Sequence, residues 1–152
     1  MKYLVIVLGV AAVSLLGSYF TSLGLMGWYD SLILPEFTPP GSFIGAVWTA
    51  IYILTAIAAA LFYRKAKRGP QWRWVTIAFV ANASLNVFWS YLFFAEHLIG
   101  LAILKAAALG VTVLILMYLI YPVSRLAALL LAPYAGWAFF ATYLNYLIWT
   151  LN

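Results

Sequence analysis

The sequence predicts an all-α integral membrane protein, a bundle of five transmembrane helices with a lid-like first loop. Three observations carry this. Hydrophobic residues make up 68% of the 152-residue chain and charged residues 7%, whereas a soluble domain is nearer half apolar and a quarter charged. Mean hydropathy is +1.07. The few charges punctuate five long apolar stretches, and they sort by sign onto opposite sides of those stretches. A soluble unit of this length has too little interior to hide so much apolar surface, so the bilayer must solvate it.

About 20 helical residues cross a ~30 Å hydrocarbon core. Residues 3–26 form the first span. Lys2 followed by an apolar run also suits a cleaved signal peptide, but the run is too long and has no clear small-x-small site, so a retained span is expected. The second span covers residues 43–64, because Pro39, Pro40 and Gly41 stop any helix before it. The third covers residues 73–95 and the fourth residues 98–121, broken only by Lys105. The fifth covers residues 125–151, with a kink expected at Pro133. Only helices satisfy every backbone group within their own segment in lipid. The stretches lack the alternation of barrel strands and are about twice too long for them. Residues 1–152 thus form a single domain.

Five spans put the N-terminus and the second and fourth loops on one side. That side holds Lys2, Arg64, Lys65, Lys67, Arg68, Arg73 and Arg125, seven of the eight basic residues. Asp30, Glu36 and Glu96, all three acids, fall on the other. The positive-inside rule then places the N-terminus in the cytoplasm. It also explains the net charge of +5: the cluster from Arg64 to Arg73 orients the chain and meets lipid headgroups. The loop is too short to present a nucleic-acid site. With no cysteine, disulfides, thiolate metal sites and cysteine nucleophiles are excluded. One histidine and three acids leave little for acid–base or metal chemistry. His97, beside Glu96, reads as a polar residue at a helix end.

The first loop runs from Trp28 to Ser42 with Tyr29, Pro35, Phe37, Pro39 and Pro40. Loops that long are usually functional or disordered. Its aromatics and prolines argue for an ordered lid. Inside the spans, polar groups are costly unless paired. Asn82, Asn86, Trp89 and Phe93 fall on one stripe of the third helix, with Ser90 on its edge. Trp48, Tyr52, Thr55 and Ala59 make a stripe on the second, and Tyr134, Trp137, Ala141, Leu144 and Asn145 one on the fifth. The amides require another helix, water or a ligand as partner. Three aromatic stripes under an aromatic lid favour a pocket for a large, flat, mostly apolar ligand. Ala102, Ala106 and Gly110 form a small-residue row that permits close helix approach, within the bundle or between copies. Lys105 is expected to snorkel or to pair with Glu96.

These residues resemble the TspO/MBR family, bacterial tryptophan-rich sensory proteins related to the mitochondrial translocator protein (the peripheral benzodiazepine receptor). The motif run is Trp28-Tyr29, Leu32, Pro35 and Thr38-Pro39-Pro40-Gly41, then Gly45, Trp48 and Tyr52. It continues through Asn82, Asn86 and Trp89-Ser90 to Pro133-Tyr134, Trp137 and Ala141-Thr142-Tyr143-Leu144-Asn145. The resemblance implies a membrane receptor or sensor, often a homodimer, that binds porphyrins (protoporphyrin IX and haem) in a pocket capped by the first loop and regulates tetrapyrrole handling. It implies a ligand site of Trp28, Tyr29, Pro39, Trp48, Tyr52, Asn82, Asn86, Trp89, Trp137, Ala141 and Leu144. It also implies an alternative, light- and oxygen-dependent breakdown of protoporphyrin, with Trp48 and Trp137 in the photochemical role. Porphyrin would be ligand or substrate, and no cofactor or metal is required. A porphyrin or lipid transporter is the third alternative, for which no repeat or broken-helix pair speaks. The implied location is a bacterial inner membrane. Phe37 stands where the family usually has tryptophan, and Leu34 where it usually has a basic residue. No Lys or Arg follows Tyr146, so the cholesterol-recognition pattern is incomplete and cholesterol is not expected as the native ligand.

Overall fold

The computed structural model describes residues 2–152, with nothing of the Lys2 side chain. Five apolar helical spans of 22 to 27 residues cross the molecule. They are α1 (Lys2–Leu25), α2 (Gly41–Lys65), α3 (Pro70–Ser90), α4 (Ile99–Ile120), and a fifth divided into α5 (Arg125–Leu129) and α6 (Ala132–Leu151). The chain is an integral membrane protein.

The division of the fifth span has a local cause. Pro133 has no N–H to offer the carbonyl one turn earlier, and its ring crowds that carbonyl. The helix therefore stops at Leu129 and restarts at Ala132, with Pro133 in the first turn of α6. Ser124 caps α5 by accepting from the Ala127 N–H at 3.4 Å. The third span departs from expectation at its far end. After Ser90 it widens into a π-helical turn, Tyr91–Ala95. The wider turn buries three consecutive residues, Leu92, Phe93 and Phe94, which a regular helix would spread around its circumference.

Gly24 faces this turn from α1. A Cβ there would collide with the Phe94 carbonyl, so α1 and the turn meet backbone to backbone. Gly17, seven residues earlier, is the other fully buried residue among those described in α1. The rest of α1 lies at the periphery. The small-residue row of α4 turns inward: Ala102 and Ala106 are buried, and the Phe139 ring of α6 lies 3.0 Å from where a Gly110 Cβ would sit. The row serves α4–α6 packing, where small residues let backbones approach in lipid. Lys105 lays its Nζ 5.4 Å from the Phe88 ring centroid, a cation–π contact.

The core has two parts. One, toward the basic end, joins Phe62, Val75, Leu116, Ile120, Ala127 and Leu131 among others. The other, at the opposite end, joins Leu92, Phe93, Phe94, Ala102, Leu144 and Ile148, with Trp28, Tyr29, Leu32 and Leu34 of the first loop packed onto it. The loop is therefore an ordered cover. Gly27, at φ 89°, turns the chain out of α1 into it. Asn152 fastens its middle: the amide oxygen accepts from the Ile33 N–H at 2.9 Å, and the amide nitrogen donates to the Ile33 carbonyl at 3.0 Å and the Ile148 carbonyl at 2.8 Å. Asn152→Ala is expected to speed amide exchange at Ile33 by about tenfold, the scale of one or two lost hydrogen bonds. The melting temperature should barely move, because the clamp is exposed. Unchanged exchange in the loop peptide would show that the clamp holds nothing.

Candidate functional site

A polar network crosses the middle of the bundle. The Tyr52 hydroxyl donates to Asn86 Oδ1 at 3.0 Å. Asn86 Nδ2 donates to the Tyr134 oxygen at 3.1 Å, and the Tyr134 hydroxyl donates to Asn82 Oδ1 at 3.0 Å. Asn82 Nδ2 donates to Thr112 Oγ1 at 2.9 Å, and Thr112 donates to the Leu109 carbonyl at 2.7 Å. Five bonds thus run in one direction through α2, α3, α6 and α4. The spacing that put Asn82 and Asn86 on one stripe is what lets both reach Tyr134. Asn82, Asn86 and Tyr134 are each at most 4% exposed, so the partners of these amides are the neighbouring helices.

Aromatic rings fill the layer between this network and the first loop. The Trp48 ring lies 5.7 Å from Tyr52, 6.2 Å from Trp89 and 5.9 Å from Tyr134, centroid to centroid. Trp89 continues to Phe93 at 5.9 Å. Trp137 stands beside Phe43 at 6.3 Å and Phe140 at 5.3 Å. The lid closes over them. Trp28 stacks flat on His97, 4.0 Å apart and 9° from parallel, and meets Phe93 edge-on at 5.4 Å. Tyr29 leans on Phe94 at 5.8 Å; burial, with Asp30 adding to it, raises its hydroxyl above the ordinary range. Phe37 stacks on Tyr143 at 6.4 Å.

Within this half of the bundle three buried donors lack a protein partner: Trp89 Nε1, Trp137 Nε1 and Asn145 Nδ2. Indole nitrogens only donate, and a buried unpaired polar group in a native fold calls for an explanation. Thr55 Oγ1 is likewise unpartnered on the other side of the network. An open cavity of about 440 Å³ lies on that side, between α1, α2 and α3, with Tyr52, Asn82, Asn86 and Tyr134 in its wall.

Of the residues expected at a ligand site, Trp48, Tyr52, Asn82, Asn86 and Trp89 come together through direct contacts. Trp28, Tyr29 and Leu144 belong to the lid cluster. Trp137 lies beside its own aromatic neighbours, and Pro39 and Ala141 are half-buried outside the network. Tyr52, Asn82 and Asn86 also line the open cavity. Sequence reasoning passed over Tyr134 as a site residue although it is the network's centre, and Thr112 altogether. Tyr134 shared a stripe with Trp137 and could have been found there. Thr112, on an almost wholly apolar helix, carries no such signal. His97 turns from a polar end into the stacking partner of Trp28, held at φ 59°.

The model of the TspO/MBR family matches residues 5–150. The Tryptophan-rich protein TspO of Archaeoglobus fulgidus is 34% identical over 152 residues, covering 100% of this chain and 97% of its own. That of Bacillus cereus is 34% identical over 125 residues, 82% of this chain and 80% of its own. The Translocator protein of Homo sapiens is 31% identical over 142 residues, 90% of this chain and 81% of its own.

Proposed function

The chain belongs to the TspO/MBR family, and from that premise we propose that it is a membrane receptor for porphyrins, with protoporphyrin IX or haem held among the aromatic rings beneath the first loop. The supporting observation is the trio of unpaired buried donors, Trp89 Nε1, Trp137 Nε1 and Asn145 Nδ2. A porphyrin offers a flat π-surface to the indoles and carboxylates that accept from such donors. Hydrogen bonds to a charged group are stronger than neutral ones. Binding would displace the lid rings, and that displacement is the signal a sensor needs. The excess of basic residues on the N-terminal side supports a cytoplasmic N-terminus, and membership of the family supports a bacterial inner membrane as the location.

The test removes the indole N–H while keeping an aromatic side chain at the position. Trp137→Phe and Trp89→Phe are each expected to weaken protoporphyrin IX about tenfold, the cost of one charge-assisted hydrogen bond, measured by quenching of tryptophan fluorescence. Unchanged affinity in both variants would remove this site. A second function is favoured by one observation: Trp48, Trp89 and Tyr134 form a cluster of oxidisable rings within 6.2 Å contacts. Such rings can give electrons to a photoexcited porphyrin, with the pigment supplying the chemistry and the protein the orientation. On illumination, Trp48→Phe/Trp89→Phe should then change the product pattern; identical products and rates would leave only a receptor.

A further inference from the structure

The cavity on the basic side of the network is not needed by that receptor reading, and its walls have a chemistry of their own. Gly9 and Val13 of α1, Ala59 and Tyr63 of α2, and Trp72 and Phe79 of α3 line it. Val5 and Val80, also in its wall, are 67% and 61% exposed, so it opens sideways to the surrounding acyl chains. Tyr52 and Tyr63 both line it and stand eleven residues apart on α2, ~16 Å of helix. That is the depth of one leaflet of a ~30 Å hydrocarbon core. At its outer end α2 finishes in Arg64 and Lys65, and the Arg68 guanidinium lies 5.9 Å from the ring centroid of Trp72.

We propose that this groove is a binding site for an anionic phospholipid, one acyl chain lying along α1, α2 and α3 and the phosphate held among Arg64, Lys65 and Arg68. Four features select that occupant: apolar walls, a sideways opening, a depth of one leaflet, and cations where the headgroup must sit. A neighbouring copy in the same orientation is disfavoured, because it would set its own basic end beside these cations: seven of the eight basic residues lie on that side. Basic residues near the membrane surface each favour anionic lipid, and they distinguish this occupant from a neutral lipid of the same chains.

Native mass spectrometry of the detergent-solubilised protein, titrated with phosphatidylglycerol or phosphatidylcholine of identical chains, tests the proposal. The wild type is expected to retain one phosphatidylglycerol and markedly less phosphatidylcholine. Gly9→Leu puts a branched apolar side chain into the groove, starting from a position where a Cβ meets nothing within 4 Å. It should cut phosphatidylglycerol retention about tenfold, the burial of roughly two methylenes. Arg68→Gln should cut it about threefold, the scale of an exposed ion pair, and leave phosphatidylcholine unchanged. Equal retention of the two lipids, or wild-type retention by Gly9→Leu, would overturn the proposal. So would a changed oligomeric state in Gly9→Leu without loss of lipid. Protoporphyrin quenching should be unaltered in Gly9→Leu, so this site and the porphyrin site fail separately.

Discussion

Gly24→Ala is expected to lower the melting temperature in detergent by roughly 3–10 °C, a cost of about 1–3 kcal/mol for overpacking in a chain of this size. The new methyl group has nowhere to go. It meets the Phe94 carbonyl, a backbone atom in a π-helical turn whose neighbours Leu92 and Phe93 are buried. A flexible side chain could swing aside, but this carbonyl cannot. Either α1 moves out or the turn reverts toward regular helix and exposes one of its three buried side chains. Gly9→Ala is the control: its Cβ meets nothing within 4 Å, and alanine is the better helix former by about 0.5–1 kcal/mol. Its melting temperature should be unchanged or raised. Equal behaviour of the two variants would show that α1 does not touch the turn.

Tyr134→Phe is expected to cost about 1–3 kcal/mol, more than Tyr52→Phe, although each removes one oxygen. Tyr134 sits inside the network. Without its hydroxyl, Asn86 Nδ2 loses its acceptor and Asn82 Oδ1 its donor, and both residues are at most 4% exposed. Tyr52 is the network's end, and losing it leaves one short acceptor on Asn86. In membranes such bonds can be worth well under 1 kcal/mol, because the unfolded chain finds other partners. Here two amides on one helix are stranded facing the same gap, so re-pairing is restricted. Converting both asparagines to leucine in the Tyr134→Phe background should recover part of the loss, because apolar replacement of every partner removes the unpaired groups. Thermal unfolding of the series measures this. A Tyr134→Phe loss no larger than that of Tyr52→Phe would mean the network does not bind the helices.

The spans were legible because the bilayer imposes one length and one backbone solution, and the charges marked the ends. Pro133 announced its own break. The stripe of Asn82 and Asn86 followed from helix periodicity, and it correctly raised the choice between helix and ligand as partner. The π-helical turn was not legible. Tyr91, Leu92, Phe93, Phe94 and Ala95 contain no proline or glycine, and Gly24, whose bare backbone packs against the turn, lies seventy residues earlier. The Asn152 clamp on Ile33 was hidden for the same reason, being made across 119 residues of sequence. The position of the open space was also invisible. Aromatic stripes say which faces carry rings, whereas packing decides where the open space lies, and a cavity opens on the basic side of the network.

Since Gly17 and Gly24 are the buried members among the described residues of α1, the other letters of that helix answer mainly to the lipid around them. Oily residues can trade places there at small cost, provided length and greasiness persist. What individualises the segment is written in a missing atom, at residue 24, where the useful property is having nothing to put in the way.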